Sequence, residues 1–164
     1  MEKRRIGAAL SDMEGLIRAE LDEGGSVRFT PRGGSMLPML RANGDSVTLE
    51  KPPARLKRGT VALFVTGAGE EKKFVLHRLV KVKRRRDEYV FMGDKRDKAD
   101  PPVKREDIIG VVTAFTSRGR ASKLKEPGYK LYSSWMVLTR GVRPVSFKLQ
   151  SAAYRAWRKL SGRK

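Results

Sequence analysis

Near the amino terminus, hydrophobic side chains recur at steps of three and four residues. They are Ile6, Leu10, Met13, Leu16, Ile17 and Leu21. This spacing predicts one apolar face of an amphipathic helix that ends at the Gly24-Gly25 pair. We expect the helix, residues 1–23, to pack on the rest of the protein, and contact with a membrane or a partner is the alternative.

After the glycine pair the pattern changes to short runs of β-branched and aromatic residues separated by turn residues. The turns are predicted at Asn43-Gly44-Asp45, Gly67-Ala68-Gly69 and Arg84 to Asp87. This spacing predicts a mainly β, antiparallel domain over residues 24–117. The predicted strands are Ser26 to Thr30, Ser46 to Glu50, Thr60 to Thr66, Lys73 to Lys83, Glu88 to Met92, and Ile108 to Thr116.

The carboxy-terminal extension, residues 118–164, is strongly basic. It holds 13 Lys or Arg residues and one acid, Glu126, so it contributes +12 to a chain charge of +19. A basic amphipathic helix there would either dock on the β-domain or associate peripherally with an anionic membrane. Nucleic acid is not favoured, because no zinc-finger spacing or aromatic RNA-binding signature is present. The predicted apolar helix face comprises Val145, Leu149, Ala153, Trp157 and Leu160.

Composition narrows the class of protein further. A chain of 164 residues is long enough for one compact domain. The absence of cysteine excludes disulfides and thiolate chemistry. The longest uncharged stretch, Gly59 to Gly69, is 11 residues, whereas a membrane-spanning helix needs about 20. With no secretory signal pattern either, we expect a cytoplasmic or peripheral membrane location.

The residues able to do chemistry are few. Ser35 follows Gly33-Gly34, and His77 is the only histidine of the chain, placed in an alternating strand. A serine, an imidazole and a carboxylate in hydrogen-bonding order form a nucleophile with its base. Acids follow at Asp94, Asp97 and Asp100. No cofactor or metal is expected, because Lys95, Arg96 and Lys98 lie between these acids and would oppose a bound cation.

Between Val27 and Phe115 the motifs resemble those of type I signal peptidases, and more closely the branch that uses Ser, His and Asp. Ser35-Met36-Leu37-Pro38 is similar to the nucleophile box of that family, and His77-Arg78 stands where other members have Lys-Arg. The remaining similar boxes are Asn43-Gly44-Asp45-Ser46-Val47, Arg58-Gly59-Thr60-Val61-Ala62, Gly93-Asp94, and Asp107-Ile108-Ile109-Gly110-Val111-Val112.

The resemblance implies an antiparallel β-barrel and a serine endopeptidase that cleaves an extended peptide or preprotein after a small residue. Ser35 would be the nucleophile and His77 the base. Asp100 would orient His77, with Asp94 as the alternative for that role or as a structural partner nearby. The residues expected to bind substrate are Phe29, Gly33, Gly34, Met36, Pro38, Phe74 and Leu76.

The chain departs from the family at Gly33, where members often have a serine that helps to bind the oxyanion. Backbone donors such as the Ser35 amide would have to replace it. Two other functions stay open at this point. One is a self-cleaving regulator of the LexA-like kind, although the base of such proteins is lysine. The other is a non-catalytic basic β-module that binds an anionic membrane or nucleic acid.

Overall fold

A computed structural model describes residues 2–67, 72–117, 119–124 and 126–141. The predicted helical face between Val145 and Leu160 lies outside these residues. The first helix is α1 (Glu2–Asp22) and the second is α2 (Pro127–Leu138). The strands are β1 (Val27–Phe29), β2 (Ser46–Glu50), β3 (Val61–Thr66), β4 (Lys73–Lys83), β5 (Glu88–Met92), β6 (Val103–Lys104), β7 (Ile108–Ser117) and β8 (Arg120–Lys123).

The eight strands form one antiparallel sheet in the order β1-β2-β7-β3-β4-β5-β6, with β8 paired to β7. β3 pairs with β7 as far as Val111, and β8 pairs with β7 from Ala114 onward. The predicted mainly β class with added helices is therefore confirmed. The predicted barrel is not confirmed, because the described strands form an open path with β1 and β6 at its ends.

Both faces of β3 are buried, which explains its almost uninterrupted apolar sequence. Val61, Leu63 and Val65 belong to one hydrophobic cluster, which also contains Leu21 of α1 and the residues after Ser35. Ala62 and Phe64 belong to a second cluster on the other face. β3 therefore forms the centre of the domain, and the neighbouring strand β4 is held firmly beside it.

The carboxy-terminal half of α1 packs on the sheet. Leu21 is buried against Gly110, where a Cβ atom would lie 2.9 Å from Leu21 Cδ1. Arg18 donates hydrogen bonds to two backbone carbonyls of the segment that leads into β7. Met13 and Leu16 of the predicted apolar face are nevertheless exposed, and Ile6 and Leu10 lie outside the described side chains.

No helix among the described residues has both the length and the apolar composition required to cross a membrane.

Candidate active site

Ser35 lies in the long connection between β1 and β2, at the point where the chain turns from solvent into the core. The turn is closed by hydrogen bonds from the amide of Leu37 to the carbonyl of Gly34 and from the amide of Leu40 to the carbonyl of Met36. Met36 and Leu40 are buried in the first hydrophobic cluster. These apolar anchors hold the half-buried Ser35 at the edge of the domain.

His77 lies in the middle of β4, where it pairs with Ala62 of β3. Its ring is buried and meets the edge of Phe64, with ring centroids 6.4 Å apart. Nδ1 lies 2.6 Å from Oδ2 of Asp100. Asp100 is fixed in turn by a 2.8 Å hydrogen bond from its amide to the carbonyl of Phe91. In the neutral tautomer that donates from Nδ1 to this carboxylate, Nε2 is the acceptor.

Gly93 is the point where the nucleophile loop and the imidazole meet. A Cβ atom on Gly93 would lie 2.8 Å from the carbonyl oxygen of Ser35 and 2.9 Å from His77 Nε2. The amide of Lys95 also donates a 2.8 Å hydrogen bond to that Ser35 carbonyl. The turn at Gly93 thus brings Ser35 and His77 together, and only a residue without a side chain fits between them.

These contacts place Ser35, His77 and Asp100 around one centre. Among the described residues no hydrogen bond engages the Ser35 hydroxyl. Catalytic hydrogen bonds often form only when substrate is bound. The arrangement brings together the three residue types that such proton transfer from a serine to an imidazole requires.

Asp94 is not part of this group. Its carboxylate accepts hydrogen bonds from Arg78 Nε and Nη2 at 2.8 and 2.7 Å, and from the hydroxyl of Tyr132 at 2.9 Å. His77 and Arg78 are adjacent on β4, so their side chains lie on opposite faces of the sheet. Of the two roles considered for Asp94, its contacts fit the structural partner. Asp97 is exposed on the same loop.

The described residues contain no cluster of three or more His, Asp or Glu side chains able to hold a metal ion.

Arg78 is completely buried, and helix α2 supplies much of its hydrogen bonding. Nη1 donates to the hydroxyls of Tyr129 and Ser133 at 2.8 and 2.9 Å and to the carbonyl of Gly59 at 3.1 Å. Burial by itself would lower the pKa of Arg78, but the hydrogen bonds and charge of Asp94 outweigh it and raise that pKa. The guanidinium is therefore charged, as a bidentate pair with a carboxylate requires.

Burial and the Arg78–Asp94 pair shift the pKa values of the two neighbouring tyrosines, Tyr129 and Tyr132. Burial, followed by the negative charge of Asp94, raises the pKa of Tyr132 well above its usual value. Burial also raises the pKa of Tyr129, although Arg78 acts in the opposite direction. Both hydroxyls thus remain protonated over the neutral range and can donate hydrogen bonds.

A cleft of about 560 Å³ opens beside Ser35, His77 and Asp100. Four of the residues predicted to bind substrate line it, and three do not. Those that line it are Gly33, Met36, Phe74 and Leu76, and those that do not are Phe29, Gly34 and Pro38. Phe29 packs against the first hydrophobic cluster. Pro38 lines a separate depression beside α2.

Gly33 has a φ of +86°, in the left-handed region that favours glycine. A serine at this position would strain the backbone, so the glycine suits the observed turn. An oxyanion at Ser35 would accordingly depend on backbone N–H donors.

Sequence reasoning missed Tyr129, Tyr132 and Ser133. Their spacing of three and four residues places them on one face of a helix, which was a detectable signal. What the sequence does not reveal is that Arg78, their partner, is buried.

Comparison of the chain with protein-family models, with curated proteins and with solved structures gives no significant match. The resemblance to signal peptidases therefore rests on the motifs alone.

Proposed function

We propose that this protein is a serine endopeptidase of the signal-peptidase kind, with Ser35 as nucleophile, His77 as general base and Asp100 as the residue that orients His77. The observation that carries the proposal is the 2.6 Å contact between His77 Nδ1 and Asp100, with Nε2 facing the same point as the Ser35 backbone. The three residues come from different parts of the chain and all line one cleft.

In the proposed reaction, the Ser35 hydroxyl attacks the scissile carbonyl while its proton passes to His77 Nε2. Asp100 stabilises the imidazolium that forms. Backbone N–H groups at the Ser35 turn bind the oxyanion of the tetrahedral intermediate. The proton on His77 then goes to the leaving amine as the C–N bond breaks. Water, deprotonated by His77, hydrolyses the acyl ester and restores Ser35.

An extended peptide has a backbone edge to bind. One edge of β4 is paired with β3 over Lys73 to Arg78, whereas β5 pairs with the other edge only from Arg78 onward. Within the described residues, no strand pairs with this second edge from Lys73 to His77. A substrate strand added there would gain backbone hydrogen bonds and would present its scissile bond beside His77.

A serine-reactive fluorophosphonate probe and a peptide library with small residues before the cleaved bond test this function. We expect the probe to label Ser35 and the library to be cleaved at defined positions. Ser35→Ala and His77→Ala should each abolish cleavage without altering the circular dichroism spectrum. Full cleavage by Ser35→Ala would refute the proposal. Incubating the protein alone at mildly alkaline pH identifies self-cleavage, the LexA-like alternative, by two discrete fragments.

A second proposal, peripheral binding to an anionic membrane, is supported by the outer face of α2. Leu131, Trp135 and Leu138 are 75%, 64% and 76% exposed, and their spacing puts them on one helix face. A surface helix with an exposed tryptophan and flanking cations suits the boundary of an anionic bilayer. Arg140, just beyond Leu138, lines a basic depression together with Lys57, Arg58, Lys81 and Arg84.

Flotation with vesicles tests the membrane proposal. We expect binding to vesicles containing anionic phospholipid and none to neutral vesicles, with binding weakened by salt. The double variant Trp135→Ser/Leu138→Ser leaves the buried face of α2 intact and should reduce flotation strongly. Equal flotation of this variant and the original protein would contradict a role for the helix face.

A further inference from the structure

The cleft beside Ser35 is lined by basic side chains, and this charge bears on which peptides it would accept. Its cationic residues are Arg32, Lys73, Arg96 and Lys98. Among the residues that the structure describes, the one carboxylate that lines the cleft is Asp100, which is already bonded to His77. We propose, building on the endopeptidase function, that the cleft selects peptides with acidic residues close to the scissile bond.

The four cations are not paired with any carboxylate of the described residues. Within the described parts of the chain, none of them forms an ion pair, whereas Arg18, Arg41, Lys72 and Lys83 all do. All four residues are exposed at the cleft, so their charges can reach a bound ligand. A cleft whose described lining carries several cations outside ion pairs attracts a ligand that bears negative charge.

Two of the cations define where acids should lie along the substrate. The Cγ atom of Arg96 would be 2.6 Å from a Cβ on Gly93, the same point that Ser35 and His77 approach. Arg96 is therefore beside the reacting centre. Lys73 precedes His77 by four residues on β4, which corresponds to about 13 Å along a strand.

A peptide extended along this edge of β4 has the same rise per residue as the strand. We therefore expect one favoured acidic position adjacent to the scissile bond, facing Arg96, and a second about four residues away, facing Lys73. The two positions are on the same face of the substrate strand, because the side chains of a strand alternate.

A peptide fits this cleft better than a nucleic acid does. The wall between the two cations is the backbone edge of β4 that no described strand pairs with, together with Phe74, Val75 and Leu76. Unpaired backbone groups bind another backbone of the same kind, and the apolar wall suits side chains.

Binding is measured first, with the Ser35→Ala protein and fluorescently labelled peptides in an anisotropy assay. The matched peptides carry Ala, Glu or Lys at one of two positions. The first is adjacent to the scissile bond, and the second is four residues from the first. Each acidic residue should tighten binding about two- to five-fold, as expected for partly exposed charge pairs, and Lys should weaken it. The difference should diminish at high salt. The ratio of kcat/KM values in the active protein should follow the same order.

Matched charge removals separate the cleft from the general charge of the chain. Arg96→Gln should remove the preference at the adjacent position, and Lys73→Gln the preference four residues away. Arg85→Gln/Arg86→Gln removes two charges from the exposed turn after β4, at the far end of the strand from Lys73. It should leave the ratio of acidic to neutral peptide unchanged.

The proposal is wrong if acidic and neutral peptides bind equally, or if the Arg85/Arg86 variant lowers the ratio as much as the cleft variants do. Stronger competition by a single-stranded oligonucleotide than by the acidic peptide would also overturn it, in favour of a nucleic-acid site. Failure of the endopeptidase function has a different signature. In that case the active protein neither reacts with the fluorophosphonate nor cleaves any peptide, while acid-selective binding to the cleft persists.

Discussion

Arg78 and Asp94 form a bidentate ion pair that is almost completely excluded from solvent, with side-chain exposures of 0% and 1%. The pair joins three elements: Arg78 belongs to β4, Asp94 follows Gly93, and Tyr132 of α2 donates to the same carboxylate. Helix α2 is therefore connected to the turn that brings the Ser35 backbone close to His77. The same contact therefore stabilises the fold and helps to position the candidate site.

Removing one partner of the buried pair should be costly. Asp94→Ala leaves the guanidinium of Arg78 buried without its counter-charge, and we expect the free energy of unfolding to fall by about 3–5 kcal/mol. Chemical denaturation followed by circular dichroism measures the change. Glu106→Ala is the matched control, since it breaks the exposed Lys104–Glu106 pair and should cost at most about 1 kcal/mol. Similar losses in both variants would contradict the importance of burial.

Asp100 and Asp97 provide a second matched comparison, on the same loop. Asp100→Asn retains the size of the side chain but removes the charge that orients His77, and should lower kcat by about 10³- to 10⁴-fold. Asp97→Asn removes an exposed carboxylate and should leave kcat within about two-fold, since surface substitutions rarely perturb the fold. Steady-state kinetics of both variants with one peptide measure the two kcat values. Comparable rates would show that Asp100 does not serve His77.

Gly93→Ala tests the close approach of Ser35 and His77. The added methyl group would overlap the Ser35 carbonyl and the imidazole, so one of them must move. We expect a loss of at least about 10²-fold in kcat/KM, because small displacements of reacting groups are expensive. Gly15→Ala is the control. It adds a methyl group to α1 where no atom lies within 4 Å, and should raise stability by about 1 kcal/mol without changing activity.

The raised pKa of Tyr132 predicts how stability depends on alkaline pH. An unfolded tyrosine ionises near pH 10, whereas in the folded protein burial and Asp94 keep the hydroxyl protonated to higher pH. The contribution of Tyr132 is therefore complete below about pH 10 and is lost as pH rises toward the pKa of the folded state. Tyr132→Phe should be less stable at neutral pH but should lose stability less steeply above pH 10. Parallel pH profiles from denaturation would contradict this.

Most strands of the sheet were predictable, because short β-branched and aromatic runs between turn residues mark where they begin and end. The bounds of β2, β4 and β5 agree with the runs in the sequence, those of β3 and β7 differ by one residue at one end, and β1 is shorter by one residue at each end. β6 has two residues, too few to give a pattern, and β8 is recognisable only through its pairing with β7.

The candidate site could be proposed from the sequence where its motifs are local. Ser35 and His77 stand out as residue types, but the choice between Asp94 and Asp100 depends on which side of the sheet each faces. That information comes from tertiary packing. The role of α2 could not be inferred either, because an arginine in an alternating strand is usually solvated, and its burial becomes visible only with Tyr129, Tyr132 and Ser133 in place.

Neighbouring positions on β4 serve two unrelated tasks, since His77 faces the cleft and Arg78 faces Asp94. An extra residue inserted into β4 between Lys73 and His77, with the start of the strand kept in register, would turn both His77 and Arg78 to the opposite faces of the sheet. The contact of His77 with Asp100 and the buried pair of Arg78 with Asp94 would then be lost together. Length variation in this protein is consequently far less tolerable within β4 than in the exposed turn that follows it.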